Sequence, residues 1–299
     1  MDFRPLTFDD KPLIDAALAA HPPEISELTF TNFWVWRRKR AVAIARDAAG
    51  ALALLCEEHG ERFFLPPVGG SDLAASAREL RAHARAGGFP FSMRRVPAAA
   101  ARVLAATGLS AAPDRANFDY VHAVRDIAEL AGRHFDGKRN QIRRLTEARV
   151  CVFEHLDEAT VAECLALEEQ WCDLRTCHLD QDLAAEQEAI AACLRLRREL
   201  GVFGGIVRVD GRLKAFALAE RLRPDTAVVH FEKADPSVTG IYQLINHWFC
   251  REALGDFTFV NREQDLGLPG LRRAKSGWRP HHLVEKWTLT EPPPGAGPP

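Results

Sequence analysis

The chain has 299 residues, of which 47% are hydrophobic and 27% charged, and this excludes a largely disordered chain and a fibrous one. Its 39 Lys and Arg against 41 Asp and Glu give a formal net charge of −2, so any contact with RNA or phosphate requires a local basic patch. The sequence has no apolar run of about 18 residues, no secretory signal and no disulfide-framework spacing among its seven cysteines. These features predict a cytoplasmic protein with reduced thiols and no transmembrane segment.

The first part of the chain alternates short helices and strands. A helix is predicted over 9–20, and three β-rich runs separated by Gly50 and Gly60 are typical of an antiparallel meander. The predicted elements that follow are a helix over 72–86, a strand over 91–96, a helix over 98–106 and a strand over 117–124.

The second part predicts a mixed α/β unit. The dipeptide Asp210-Gly211 between two β-rich runs predicts a hairpin, so part of the sheet is antiparallel. We place a domain boundary near residue 125, which gives domains over 1–125 and 126–290 and a disordered Pro/Gly tail over 291–299. The predicted elements are helices over 139–148, 157–173, 183–200, 240–254 and 270–276, and strands over 150–155, 202–209, 213–220, 227–233, 257–262 and 283–289.

A basic segment over 133–149 has six Lys or Arg and two acids, a net charge of 6 − 2 = +4. One interpretation is a solvated helix face. The other is a contact with phosphate or the RNA backbone through Lys138, Arg139 and Arg143, because Lys and Arg form charge-assisted hydrogen bonds with phosphate oxygens.

The strand around 228–235 has an imidazole and a carboxylate that simple alternation places on one face, His230 and Glu232. Together they could act as a general base and proton relay. The alternative is structural, with Glu232 paired to a nearby Arg in a polar seam.

The segment that follows predicts a helix with a core stripe and a polar side. The stripe has helical spacing and consists of Ile241, Leu244, Ile245, Trp248 and Phe249. Tyr242, Gln243 and Asn246 are then free to meet a ligand, and Thr239 and Gly240 would present unpaired N–H groups to a phosphate.

Polar residues follow the hydrophobic strand at 257–260. Asn261, Arg262, Glu263, Gln264 and Asp265 are either a surface loop or a functional strand end, and alternation places Asn261, Glu263 and Asp265 on one side. Further along, Lys275 is a candidate for donor binding.

Several familiar motifs are absent. Cys172 and the Cys177-His178 pair do not have zinc-ligand spacing, so we expect no metal site, and a nucleophilic Cys172 has no identifiable partner. The chain also has no G-x-S-x-G, P-loop or G-x-G-x-x-G motif, which removes the commonest hydrolase, NTPase and dinucleotide-binding hypotheses.

Five motifs together carry a family resemblance: TFTNFWVW (29–36), GKRN (137–140), VHFEKA (229–234), GIYQLIN (240–246) and VNREQDLG (260–267). Over about residues 20–289 the chain resembles a bacterial family, the phosphatidylglycerol lysyltransferase C-terminal-domain-like proteins. The resemblance implies two tandem acyltransferase modules of the GNAT superfamily, as in Fem-type peptidoglycan aminoacyltransferases. It also implies that two central strands splay apart around the acyl donor.

Two departures refine this expectation. The segment SVTGIY (237–242) lacks the Q/R-x-x-G-x-G/A motif of members that use acetyl-CoA, which favours an aminoacyl-tRNA donor. The lysyltransferases carry membrane helices upstream, which this sequence does not show, so we expect a small-molecule or peptide acceptor. The aromatic segment 30–36 is a candidate for peripheral membrane contact.

The sequence therefore predicts an acyltransferase that moves an aminoacyl group from aminoacyl-tRNA to an amine or hydroxyl, with no tightly bound cofactor. Glu232 or Glu263 is the candidate base, and Asn261, Arg262 and Tyr242 stabilise or position the reacting groups. The donor-binding candidates are Lys138, Arg139, Arg143, Thr239, Gly240, Gln243, Asn246 and Lys275. Two alternatives stay open: an acyl-CoA-dependent N-acyltransferase, and a non-catalytic nucleotide- or peptide-binding module on the same fold.

Overall fold

A computed structural model describes residues 1–292; most of the predicted disordered tail (291–299) thus lies outside the described residues. The chain forms two compact units. The first comprises Met1–Asp119, Gln264–Arg272 and the C-terminal segment that begins at Leu283, and the second comprises Tyr120–Glu263 and Arg273–His282. The arrangement therefore differs from the continuous second domain expected over 126–290, because the chain returns to the first unit twice.

The helices and strands of the N-terminal part are short. They are β1 (Arg4–Pro5), α1 (Lys11–Ala20), α2 (Phe30–Val35), β2 (Arg40–Arg46), β3 (Leu52–Glu58), β4 (Glu61–Val68), α3 (Leu73–Ala86), β5 (Ser92–Pro97), α4 (Ala98–Ala105), β6 (Ser110–Pro113) and β7 (Asp119–Ala123).

The remaining elements are longer on average. They are α5 (Val124–Glu129), α6 (Asp136–Ala148), β8 (Cys151–His155), α7 (Val161–Arg175), α8 (Gln181–Arg195), α9 (Arg197–Leu200), β9 (Phe203–Val209), β10 (Arg212–Arg223), β11 (Thr226–Ala234), α10 (Ile241–Ala253), β12 (Phe259–Asn261), α11 (Pro269–Ser276), β13 (His282–Val284) and β14 (Lys286–Thr290).

The sheet of the first unit has the order β1-β2-β3-β4-β5-β14-β6. The β2–β3–β4 meander is antiparallel, as the glycine-separated runs predict, whereas β4 and β5 are parallel. The last strand, β14, lies between β5 and β6 and is antiparallel to both. The C-terminus of the chain therefore completes the N-terminal sheet.

The aromatic segment 30–36 is packed into the first unit. Phe30 and Phe33 are almost fully buried because they share one face of the short helix α2, and Phe8 meets both Phe30 and Trp34 edge-on. Phe30 and Phe33 therefore belong to the core of the unit, whereas Trp34 and Trp36 are half-buried, and peripheral membrane contact through this segment stays a prediction.

The second sheet has the order β13-β7-β12-β11-β10-β9-β8. The β9–β10 hairpin turns at Asp210-Gly211, as predicted. One hydrophobic core lies between this sheet and α10, and the predicted core stripe of the helix is confirmed: Ile241, Leu244, Ile245 and Phe249 are buried, with the partly buried Trp248 at its margin. In residues 1–292 no helix combines the length and the hydropathy that crossing a membrane requires.

A β-bulge interrupts β11 at His230. Ala219 pairs with Val229 and Leu218 pairs with Phe231, so His230 is an extra residue without a partner on β10. The extra residue shifts the alternation of side chains by one position. The prediction that His230 and Glu232 share a face is therefore wrong.

The cysteines correct a second expectation. Cys172, near the end of α7, forms a disulfide with Cys177, because the chain reverses through a left-handed residue at Thr176. The prediction of reduced thiols is wrong for this pair, whereas the other five cysteines are free.

Candidate functional site

The two strands expected to splay apart are paired over only three positions. Parallel β11 and β12 are in register from Thr226 with Phe259 to Val228 with Asn261. Beyond that point β12 ends, while β11 continues for six residues that have no partner on β12. We call this unpaired stretch the gap; it is flanked by Val229–Ala234 on one side and by the residues after Asn261 on the other, and the His230–Glu263 and Glu232–Arg262 contacts cross it.

On the α10 side of the gap, Glu232 is held at both carboxylate oxygens. Asn246 Nδ2 donates to Oε1 at 2.6 Å, and Arg262 Nη2 donates to Oε2 at 3.1 Å. Asn246 also donates to the carbonyl of Tyr242, one turn earlier on α10. These contacts match the structural alternative given above, in which the Glu232 carboxylate pairs with a nearby Arg.

The opposite face carries a buried histidine between two carboxylates. His230 Nε2 is 2.7 Å from Glu220 Oε1, and His230 Nδ1 is 2.9 Å from Glu263 Oε1. Burial opposes the charged ring, but the hydrogen bonds and charges of the two carboxylates outweigh it and raise the pKa of His230 to about 10. The raised pKa favours the imidazolium form, which can donate through both nitrogens.

The backbone after β12 is held in an unusual conformation. Glu263 has a φ of 57°, and its N–H donates to the Oδ1 of the fully buried Asn261 at 2.8 Å. The backbone on both sides is bonded to Tyr120, which donates to the Glu263 carbonyl and accepts from the Arg262 N–H. Asn261 thus fixes the position of Glu263.

The predicted alternation of 261–265 does not extend past Asn261. Asp265 is fully buried in the first unit, where Arg115 and Arg272 donate to its carboxylate. Asp265 is therefore an ion-pair partner inside the first unit, and strand alternation does not apply to it because β12 ends at Asn261.

A cluster of cations lies beside Arg262 in the second unit. Lys138 Nζ lies 4.3 Å from the centroid of the Trp278 ring, and Lys275 Nζ donates to the Arg262 carbonyl at 2.6 Å. Burial and the charge of Arg262 lower the pKa of Lys138, and none of residues 1–292 forms an ion pair with it. Lys138 and Arg262 alone carry more positive charge than Glu232 balances, which suits an anion.

The other two predicted phosphate ligands on α6 differ in availability. Arg139 donates to the carbonyls of Leu130 and Gly132 and to the Asp136 carboxylate, so it ties the preceding loop to the helix. Arg143 is exposed and only weakly engaged, 3.4 Å from Asn140 Oδ1. Of the two, Arg143 is available to a ligand and Arg139 is not.

The start of α10 is packed and only partly open. Gly240 has a φ of +89°, and a Cβ there would lie 2.8 Å from the Gln141 carbonyl oxygen, so the glycine serves a close approach to α6. The N–H groups of Ser237, Val238 and Ile241 are all bonded within the turn. Thr239 is exposed and Gln243 half-buried.

Tyr242 belongs to this turn as well. Its hydroxyl donates to the Ala234 carbonyl at 3.3 Å, and burial raises its pKa. The hydroxyl thus holds the end of β11 to α10.

A second polar cluster lies further along β11, on the face of His230. Lys233 Nζ is 2.9 Å from Glu186 and 3.6 Å from Glu168, and it lies 3.5 Å from the centre of the Trp171 ring. Burial raises the pKa of Glu168 to about 7, although the charge of Lys233 opposes this rise. Among residues 1–292, no group of His, Cys, Asp and Glu has the arrangement of a metal site.

Sequence reasoning missed Glu220 and Trp278, and it did not select His230 as a site residue. Glu220 lies near the end of β10, where alternation alone gives no reason to single it out. The only sequence signal near the bulge was a pair of ionisable residues two positions apart, His230 and Glu232.

Comparisons with known proteins agree with this geometry. The family model described as phosphatidylglycerol lysyltransferase, C-terminal, matches residues 19–290. A conserved protein of unknown function from Bacteroides thetaiotaomicron is 30% identical, with a TM-score of 0.90 over 98% of this chain and 100% of that one. No curated protein gives a significant match.

Two further structures share the fold at lower identity. The C-terminal domain of a putative lysylphosphatidylglycerol synthetase from Agrobacterium fabrum is 14% identical, with a TM-score of 0.68 over 96% of this chain and 93% of that one. A tandem GNAT protein from the clavulanic acid biosynthesis pathway is 12% identical, with a TM-score of 0.50 over 98% of this chain and 99% of that one. The expected mixed α/β fold of two GNAT-like modules is confirmed, and the chain belongs to the family of phosphatidylglycerol lysyltransferase C-terminal domains.

Proposed function

We propose that this chain is an acyltransferase that moves an aminoacyl group from aminoacyl-tRNA to an amine or hydroxyl acceptor. The observation that carries the proposal is the gap between β11 and β12, with cations on one face and the Glu220–His230–Glu263 cluster on the other. With the cations and the carboxylates on different faces, an anionic donor can bind on one side while the acceptor is deprotonated on the other.

The donor side is the α10 face. Lys138, Arg262 and Lys275 supply the positive charge that a phosphodiester requires, and Arg143 extends this charge along the exposed face of α6. The turn before α10 uses the N–H groups of Ser237, Val238 and Ile241 internally. The segment SVTGIY (237–242) lacks the Q/R-x-x-G-x-G/A motif, which favours a tRNA donor over CoA.

Glu263 is the better of the two candidate bases. Both carboxylate oxygens of Glu232 are engaged, whereas Glu263 uses Oε1 for His230 and no described residue bonds its Oε2. The two side chains are equally exposed, at 16%, so the free oxygen of Glu263 is what distinguishes them. Glu232 instead orients the Arg262 guanidinium, which suits stabilisation of an oxyanion or a phosphate.

The chemical step follows from these roles. The acceptor nitrogen or oxygen attacks the ester carbonyl and gives its proton to Glu263. The bond between the carbonyl carbon and the ribose oxygen of the tRNA breaks, and that oxygen takes up a proton as it leaves. The products are the acylated acceptor and the free tRNA 3′ end.

The test supplies the folded protein with tRNA charged with each labelled amino acid and, separately, with acyl-CoAs. The acceptor panel contains polyamines, dipeptides and phosphatidylglycerol vesicles. We expect label to move from tRNA to an acceptor, and Glu263→Gln to lower kcat by about 10² to 10⁴ while tRNA affinity is kept.

The matched control is Glu252→Gln, an exposed carboxylate on α10 that pairs with its neighbour Arg251. It should transfer label at the rate of the unaltered protein. Transfer from acyl-CoA alone would contradict the tRNA donor. Binding of tRNA without any transfer would indicate the non-catalytic module, and neither transfer nor binding would overturn the proposal altogether.

A further inference from the structure

His230 has a geometry that suits a charged ring. Both ring nitrogens lie within 2.9 Å of a carboxylate oxygen, and the side chain is 1% exposed. Between two ionised carboxylates, a neutral imidazole would face one oxygen with a lone pair, which is repulsive. An imidazolium instead donates from Nδ1 and Nε2 together.

The bulge is what creates this contact. In a regular strand His230 would lie on the face of Glu232, beside Asn246 and Arg262. The extra residue turns the ring to the opposite face, where Glu220 of β10 and Glu263 after β12 both reach it. Bulges commonly re-aim a side chain beside an active site.

The charged and titratable groups around His230 indicate the role of its ring. The charged and titratable groups that face it are Glu220 from β10, Glu263 from the segment after β12, and the thiol of Cys193 from α8, which burial keeps neutral by raising its pKa. A ring that is already protonated and buried does not accept the proton of an acceptor. It can hold the Glu263 carboxylate in place by a hydrogen bond.

We propose that His230 is a positioning residue that fixes Glu263 through Oε1 and leaves Oε2 for the proton of the acceptor, with Glu220 as the counter-ion that keeps the ring charged. This inference rests on the proposed transferase function and adds a positioning dyad behind its base. The left-handed backbone of Glu263, held by Asn261, and the imidazolium contact then fix the same carboxylate from two directions.

The test compares His230→Gln, which keeps N–H donors without the charge, with His230→Leu, which removes both. His247→Gln is the matched control, since His247 lies in the same unit and contacts the Ile127 carbonyl. We expect His230→Gln to lower kcat on the order of 100-fold with an unchanged KM for the donor. Its pH–rate profile should lack the alkaline limb that loss of the His230 proton gives the unaltered protein. His230→Leu should lose more, and His247→Gln should match the unaltered protein.

A second experiment does not depend on catalytic activity. Nitrogen NMR of the ¹⁵N-histidine-labelled full chain should show His230 protonated at both ring nitrogens from pH 6 to pH 9. Glu220→Gln should lower the pH at which His230 loses its proton, and it should lower the alkaline limit of activity by the same amount. This variant also serves if the substitutions at His230 do not fold.

The outcomes separate the two proposals. A neutral His230 at pH 7 overturns the inference whatever the activity. If the unaltered protein transfers label and His230→Gln keeps its rate and pH profile, only the inference is overturned. If the unaltered protein transfers nothing from any donor, the proposed function fails and the role of His230 as a positioning residue fails with it, whatever its charge state by NMR.

Discussion

Lys286 and Glu27 are 259 residues apart in the sequence, and their side chains form a fully buried ion pair of 2.5 Å in the first unit. The same ammonium group lies 2.6 Å from Asp119, and Arg95 approaches the other side of Glu27. Burial opposes ionisation of Glu27, but the charges of Lys286 and Arg95 outweigh it and lower the pKa of the carboxyl. The pair joins β14 to the segment before α2 and gives the closing strand a specific position.

Lys286→Met should be strongly destabilising. Removing one member of a buried pair leaves uncompensated charge, which costs about 3 to 5 kcal/mol. Urea unfolding should show a lower midpoint for the first unit. The control is Lys11→Met, which removes an exposed pair with Asp15 and should change the free energy of unfolding by less than about 1 kcal/mol. Equal effects of the two substitutions would contradict the assignment.

Gly240→Ala should destabilise the second unit through both strain and a clash. The residue has a φ of +89°, and the added Cβ would lie 2.8 Å from the Gln141 carbonyl. Left-handed strain costs about 1 to 2 kcal/mol and overpacking about 1 to 3 kcal/mol. Gly211→Ala isolates the strain, because Gly211 has a φ of +77° and nothing within 4 Å. Urea unfolding should show a larger loss of stability for Gly240→Ala than for Gly211→Ala. Equal losses would mean that α6 shifts to make room for the added Cβ.

The stability of the protein should fall as the pH rises from about 7 towards 10. The pKa of His230 is raised from its ordinary 6.5 to about 10, so in this window His230 keeps a proton in the folded protein that it loses in the unfolded chain. The stabilising contribution is complete below pH 6.5 and is lost through pH 10, with a slope of at most about 1.4 kcal/mol per pH unit.

Urea unfolding at pH 7, 8.5 and 10 measures this slope. His230→Gln removes it, so the difference between the two proteins isolates the histidine from the buried thiols, which titrate at higher pH. Parallel pH curves for the two proteins would count against a charged ring.

Arg143→Ala and Arg139→Ala should act differently although both lie on α6. Arg143 is exposed, so its loss should weaken tRNA binding and reduce the salt dependence of that binding by about one unit of slope. Arg139 holds the Leu130 and Gly132 carbonyls, so its loss should lower thermal stability first. Filter binding across a salt series and thermal melts distinguish the two, and a salt slope unchanged by Arg143→Ala would place the tRNA elsewhere.

Local patterns predicted the parts of the fold that depend on neighbours in sequence. The Asp210-Gly211 hairpin and the buried stripe from Ile241 to Phe249 follow from turn chemistry and helical spacing. The parting of β11 and β12 was implied by family resemblance, and the three-residue register is what the structure shows. No local pattern in the sequence predicts where the pairing of β11 with β12 ends.

Features that depend on distant contacts were not predictable in this way. The bulge at His230 breaks the two-residue alternation on which the sequence argument relied, and only pairing with β10 reveals it. Gly240 was predicted only as a phosphate contact, and its close approach to the Gln141 carbonyl on another helix was not predictable from the local sequence. The ion pair of Lys286 with Glu27 has no local signature at all.

The central place of β14 in the first sheet also has a consequence for biosynthesis. Until this strand emerges from the ribosome, β5 and β6 have no shared partner, and each keeps an open edge that another chain could pair with. The N-terminal unit is thus the first to be translated and the last to be completed. Ribosome stalling or proteolysis near residue 280 would leave it aggregation-prone, and chaperone dependence should concentrate in that interval.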